Sequence, residues 1–245
     1  MSVPGTYKND RKVWTPERLQ EGYGTIGVLS AERGTYTAFW NNVQRAHMRM
    51  LIEHPRNTMD IRMGVDICGS LNQMVRGLQG DWLWIMGDDH AFDPELLPQL
   101  LAHDVDVVVP HCLRRNPPWA PVVNSHQDED GWHVSADLPE EGLTEIWSAG
   151  SAGMLIRRYV FDAIADPWFT PTPGSIGQDE DMNFCRLVRE AGFKIWCDPA
   201  ALLGHISNYT VYPRYDADAG GWHVDHVFDQ NTRIPIRRLA EEVPA

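Results

Sequence analysis

Five apolar residues in succession, Trp82-Leu83-Trp84-Ile85-Met86, lie between Gly80-Asp81 and Gly87-Asp88-Asp89-His90. An unbroken apolar run of strand length, bounded by glycine, is the pattern of a strand buried on both faces, as in a mostly parallel sheet covered by helices. Short apolar runs at 25–30, 105–110, 154–156 and 193–197 predict further strands, and the alternating stretch 58–63 predicts one more. The intervening segments have helical spacing. At 70–79, Leu71, Met74, Val75 and Leu78 fall on one face, and residues 36–53, 94–101, 159–164 and 182–191 read as helices, the last stopped by Gly192. Strands alternating with helices imply a single α/β domain, its mostly parallel mixed sheet flanked by helices, with right-handed crossovers. The boundaries fall at an arm (1–23), a main domain (24–208, in halves 24–110 and 111–208) and an extension (209–245).

Composition narrows the class. The 245 residues, 43% of them hydrophobic, are enough for one enzyme-sized core, and ten tryptophans argue against disorder. With 34 acidic against 21 basic residues the formal charge is −13, a field that disfavours general nucleic-acid binding; Arg114 and Arg115 form a local exception. Cys68, Cys112, Cys185 and Cys197 are widely spaced without a CxxC, so reduced thiols are expected rather than a disulfide framework or zinc knuckle. No apolar run reaches the length of a membrane span, and the first 19 residues lack the apolar centre of a signal peptide. The expectation is a soluble, cytoplasmic protein.

The chemistry concentrates where apolar runs stop. Asp88, Asp89 and His90 follow the central strand, at the edge where open α/β sheets bind ligands. Carboxylates and imidazole suit a divalent cation, although Asp and Gly also make ordinary turns. Ser30 closes the first strand and leads into Glu32 and Arg33, which suit phosphate or serve as a solvated turn. Asn72 and Arg76 lie four apart on a helix face. Gly150 and Gly153 either let a backbone approach a ligand or accommodate tight packing. Glu180 and Asp181 open a helix, where the dipole favours acids regardless of function.

This ordered set resembles the nucleotide-sugar glycosyltransferases of the GT-A fold, particularly family 2 and its relatives, over residues 24–208. The resemblance implies a metal-dependent enzyme with a nucleotide-binding half (24–110) and an acceptor half (111–208). It implies transfer of a sugar from a nucleoside diphosphate, UDP first and GDP next, to a hydroxyl acceptor. Asp181 takes the place of the general base in inverting members, with Glu180 as the one-residue alternative. Ser30, Glu32, Arg33, Asp66, Asn72, Asp89, Gly150 and Gly153 fall at donor-contacting positions. The family's Arg-Asn pair is Leu71-Asn72 here, so only Asn72 carries over. The spacing Asp88-x-His90 with His205, after the last strand, resembles the Asp-x-His metal motif of polypeptide N-acetylgalactosaminyltransferases, for Mn²⁺ or Mg²⁺. In the other register Asp89 is the ligand and Gly87 departs from the pattern. Trp222 belongs to an extension that forms either a lid over the substrates or an arm for a homo-oligomer.

Other classes remain in play at this stage. A nucleotidyltransferase shares the metal-dependent handling of nucleotides, but residues 27–34 make a poor Gly-rich phosphate loop. A zinc hydrolase lacks His-Glu-x-x-His. A non-catalytic carbohydrate-binding protein would use tryptophan platforms but gives no reason for Asp88, Asp181 and His205.

Overall fold

The computed structural model describes residues 22–30, 37–64, 66–117, 119–129, 131–172, 179–206, 210–218, 220–227 and 233–238, with backbone alone at 38, 227 and 233–238. The expected N-terminal arm up to residue 21, Glu32, Arg33 and the polar loop 173–178 lie outside the described residues. The first half runs β1 (Thr25–Ser30), α1 (Thr37–Glu53), β2 (Thr58–Met63), α2 (Ile67–Gly77), β3 (Trp82–Gly87), β4 (His90–Ala91), α3 (Leu96–Ala102) and β5 (Val107–Cys112). The second half runs β6 (Val123–Gln127), β7 (His133–Ser135), β8 (Thr144–Ile146), β9 (Ser148–Ala149), β10 (Leu155–Arg157), α4 (Arg158–Asp162) and α5 (Glu180–Glu190). It closes with β11 (Ile195–Ile206), β12 (Thr210–Asp216), β13 (Gly221–Val227) and β14 (Arg233–Arg238).

The run at 82–86 is buried on both faces, and its alternation sorts two cores. Leu83 and Ile85 join Leu71, Met74 and Val75 of α2 and Phe184 and Val188 of α5, while Trp82, Trp84 and Met86 join Phe39 and Val43 of α1 and Leu97 and Leu100 of α3. This period of two is what the pleat imposes. The same rule sets Val108 and Cys112 of β5 on the α1/α3 side and Val107 and Val109 on the other.

The main sheet has the order β14-β13-β12-β11-β5-β10-β3-β1-β2, with β4 and β8 also pairing with β11. Among the described residues, parallel pairing is confined to β1 with β2, β1 with β3, and β5 with β11. The expectation of a mostly parallel mixed sheet is corrected in one respect: the sheet is mixed, but its antiparallel pairs outnumber the parallel ones among the described residues. β10 inserts antiparallel between β3 and β5, and β11 to β14 form a meander. The physical reason for the meander is chain length, because Ile206 to Thr210 leaves room for a hairpin but not for the crossover that parallel neighbours require.

Two boundaries shift for local reasons. β5 continues through Pro110 to Cys112, because β10 starts at Leu155 opposite Val108 and nothing on that side needs the amide proton that Pro110 lacks. β11 runs on past Asp198, with a register shift before Leu202, so His205 lies within a strand and not after the last one. A small second sheet, β7-β6-β9, contains the hairpin expected near 131–134.

Candidate functional site

β1, β3 and β5 all point their C-terminal ends to one edge, and β4 crosses it. In the antiparallel pairing of β4 with β11, His205 stands directly opposite His90. Side chains opposite one another in such a pair are close neighbours. The rings accordingly stack, with centroids 4.8 Å apart and planes inclined by 23°. Leu203 pairs with Cys112 in the adjoining parallel ladder, which brings the thiol alongside. Ligand atoms of His90, Cys112 and His205 all lie within 4.8 Å of one another, a group able to coordinate a metal ion.

Asp89 completes the cluster. Its Oδ1 lies 3.0 Å from His90 Nδ1 and its Oδ2 3.4 Å from His205 Nε2, and the Arg115 guanidinium donates to it. Arg115 also approaches His205 Nε2 at 3.2 Å. Burial pushes the Asp89 carboxyl up, but hydrogen bonds to His205 and His90 outweigh it and hold the group well below the usual carboxylate range. Asp88 turns elsewhere: its Oδ2 accepts from Ser30 Oγ at 2.8 Å and its backbone amide donates to Leu29. The structure thus gathers Asp89, His90 and His205, and sets Asp88 beside them against Ser30. Cys112, expected from the sequence only as a reduced thiol and not as part of a site, is fully buried, and burial pushes its thiol up to about 12. Its signal was alternation: counting by two from Val108 puts residue 112 on a single face.

Donor atoms of this kind fit some cations better than others. Asp89, His90 and His205 form a carboxylate–imidazole set acceptable to Mn²⁺, whereas Mg²⁺ prefers a nearly all-oxygen octahedron.

On one flank, Ser30 leads to a cavity of about 580 Å³ lined by Ile61, Arg62, Met63, Asp66, Ser70 and Gln73. Gly64 donates its amide to Ser30 O at 3.2 Å. Asp66 caps α2, its carboxylate accepting from Gly69 N at 2.8 Å. On the other flank a cavity of about 290 Å³ is lined by Arg114, Asn124, His133, Gly150, Asp179 and Asp181. Burial, with Glu180 next to it, raises the Asp181 carboxyl to about 6. Its Oδ1 accepts from Met182 N at 2.8 Å. Glu180 is buried with Oε2 unpartnered. The consecutive residues Arg114 and Arg115 join this cavity to the histidine cluster.

Three residues singled out in the sequence have structural employment. Asn72 donates to Cys68 O and Phe169 O and accepts from the amides of Trp168 and Phe169, which uses the whole side-chain amide to clamp α2 to that loop. Gly153 has φ +70°, and a Cβ there would lie 2.6 Å from Pro110 Cγ, so the backbone turn itself requires glycine. Trp222 Nε1 donates to Leu138 O at 3.0 Å, and its ring meets His111 edge-on at 4.4 Å. Gly150 differs, since a Cβ would find only ordinary contact with Asp181 Oδ2 at 3.6 Å.

Fold and site together define an α/β domain with a mixed sheet and a metal-capable cluster at its C-terminal edge. No described helix is long and apolar enough to cross a membrane, and the four cysteines are free thiols. No protein-family model matches the sequence, and no curated protein matches it. Among solved structures, the chain is similar to A197 from STIV, with TM-score 0.52 and 13% identity over 86% of this chain and 97% of that one. It is also similar to TarS from S. aureus, with TM-score 0.41 and 12% identity over 71% of this chain and 35% of that one. HddC from Yersinia pseudotuberculosis gives TM-score 0.39 and 8% identity over 74% and 92%. At this identity the likeness to A197 establishes a shared fold and not a shared activity.

Proposed function

We propose that the protein transfers a sugar from a nucleoside diphosphate, UDP first and GDP next, to a hydroxyl acceptor. The observation that carries this reading is the continuity of the edge: Ser30 and the larger cavity, then Asp89, His90, His205 and Arg115, then Arg114 and the Asp181 cavity. The nucleoside occupies the cavity beside Asp66, with Ser30, Glu32 and Arg33 as further donor contacts. The diphosphate lies at the cluster, where Arg115 offers a planar fork of donors to its oxygens. Asp89, His90 and His205 would hold a divalent cation, Mn²⁺ or Mg²⁺, with Asp88 behind them on Ser30; such a cation would supply Lewis-acid charge to a departing diphosphate. Gly150 leaves room for the acceptor hydroxyl beside Asp181, whose carboxylate takes its proton as the new bond to the anomeric carbon forms. A carboxyl raised to about 6 suits that role near neutral pH, because it is ionised yet more basic than an ordinary aspartate.

The test is a panel of UDP- and GDP-sugars with Mn²⁺, monitored for released diphosphate, on the wild type and on Asp181→Asn and His205→Ala. Slow donor hydrolysis in the wild type, cut at least about a hundredfold in both variants, is the expected result. Donor binding without turnover would move the reading to a carbohydrate-binding protein, and neither binding nor turnover would overturn it.

A further inference from the structure

The geometry points to a thiolate zinc site built by Cys112 with His90 and His205, and with Asp89 at its open side. It concerns the same edge, rests on the reading above only for the presence of a cation there, and puts Zn²⁺ in place of Mn²⁺ or Mg²⁺. Four observations carry it. The three donor atoms already lie within 4.8 Å of one another, across three different strands whose pairings fix them. His90 Nδ1 lies 3.1 Å from Gly87 O, and His205 Nδ1 lies 3.1 Å from Leu113 O. A carbonyl can only accept, so each imidazole carries its proton on Nδ1 and keeps its lone pair on Nε2, which is the outer support that metal-binding histidines use; the His205 lone pair faces Arg115, 3.2 Å away. His90 Nε2 is buried and has no hydrogen-bond partner. A buried nitrogen left unpaired is costly, and a cation would satisfy it.

Cys112 decides the class of ion. One sulfur and two imidazole nitrogens form a three-ligand set for Zn²⁺, and Asp89 Oδ2, 3.4 Å from His205 Nε2, would close the fourth position, whereas Mn²⁺ and Mg²⁺ gain little from sulfur and bind such sites more weakly. Binding breaks the S–H bond of Cys112 and forms a sulfur–zinc bond, and the proton leaves to solvent. Asp89 and His205 Nε2 would both exchange their contacts with Arg115 for the ion, which frees that guanidinium.

The protein, stripped with chelator, is titrated with Co²⁺ as a spectroscopic probe and then with Zn²⁺. One equivalent of Co²⁺ is expected to give tetrahedral visible bands and a near-ultraviolet sulfur-to-cobalt band, both removed by Zn²⁺ but not by equimolar Mg²⁺. X-ray absorption of the zinc-loaded wild type is expected to show one sulfur at about 2.3 Å. Cys112→Ser should lose the sulfur band and bind Zn²⁺ at least about tenfold more weakly. The wild-type spectra stand on their own should that buried variant fail to fold. Zinc bound through nitrogen and oxygen alone, or no zinc bound, overturns the site. Sugar transfer with Mn²⁺ and no sulfur ligand overturns the zinc site while transfer survives; sulfur-ligated zinc without donor turnover does the opposite.

Discussion

Asp181 is the residue whose environment departs furthest from what its position at a helix start requires. The dipole of α5 favours an ionised acid there, yet burial and Glu180 together raise the carboxyl to about 6. The native state therefore holds its proton more tightly than the unfolded chain does, and stability falls as pH rises from about 4 to about 6. The cost of ionisation is on the order of 3 kcal/mol above that window. Asp181→Asn is expected to raise the melting temperature at pH 7, with the gain shrinking towards pH 4, while turnover collapses. Melting curves of both proteins at pH 4, 5.5 and 7 check this, and an Asn variant less stable at pH 7 would refute it.

At the scale of elements, two glycines of one loop separate a structural need from a functional one. Gly153 precedes β10 in a left-handed conformation, and its carbonyl accepts from Trp84 Nε1 at 3.0 Å. Gly153→Ala meets both a backbone penalty and Pro110, so a loss of about 2–4 kcal/mol is expected, read as a lower urea midpoint. Gly150→Ala should leave that midpoint within about 0.5 kcal/mol, because its added methyl faces the cavity. The same methyl narrows the approach to Asp181, so the acceptor KM should rise with little change in donor affinity. Equal destabilisation by the two substitutions would count against the assignment.

At the scale of the molecule, the meander β12–β14 is an integral extension of the sheet. Val211 and Val224 are completely buried with Leu113, and β12 pairs with β11 at His205, on the side opposite β4. Removing the chain after Ile206 would delete Val211 and Val224, uncover Leu113, which they bury, and leave a bare strand edge at β11, a loss on the order of a few kcal/mol. The expected result is a melting temperature at least about 10 °C lower, with aggregation and weakened cation binding. A truncated protein that melts and binds like the full chain would show that the meander is an appendage.

The sequence by itself determined what depends on near neighbours. The apolar run at 82–86 announced a strand buried on two faces, and the structure then showed alternate residues meeting α1 and α3 on one face and α2 and α5 on the other. The abrupt change to Asp88, Asp89 and His90 marked the site because charged groups at a buried strand's end need a partner or a ligand. Three things escaped the sequence because they depend on pairings distant along the chain. The short connections after β11 allow only an antiparallel meander, and β10 pairs antiparallel with both β3 and β5 through contacts distant in sequence, which is why the sheet is mixed. Asn72 reads as a ligand contact until Trp168 and Phe169, 96 and 97 residues away, use up its hydrogen bonds. Cys112 acquires meaning only when β11 lies beside β5 and β4 crosses to β11, for register alone brings one thiol and two imidazoles, far apart in sequence, within 4.8 Å of one another.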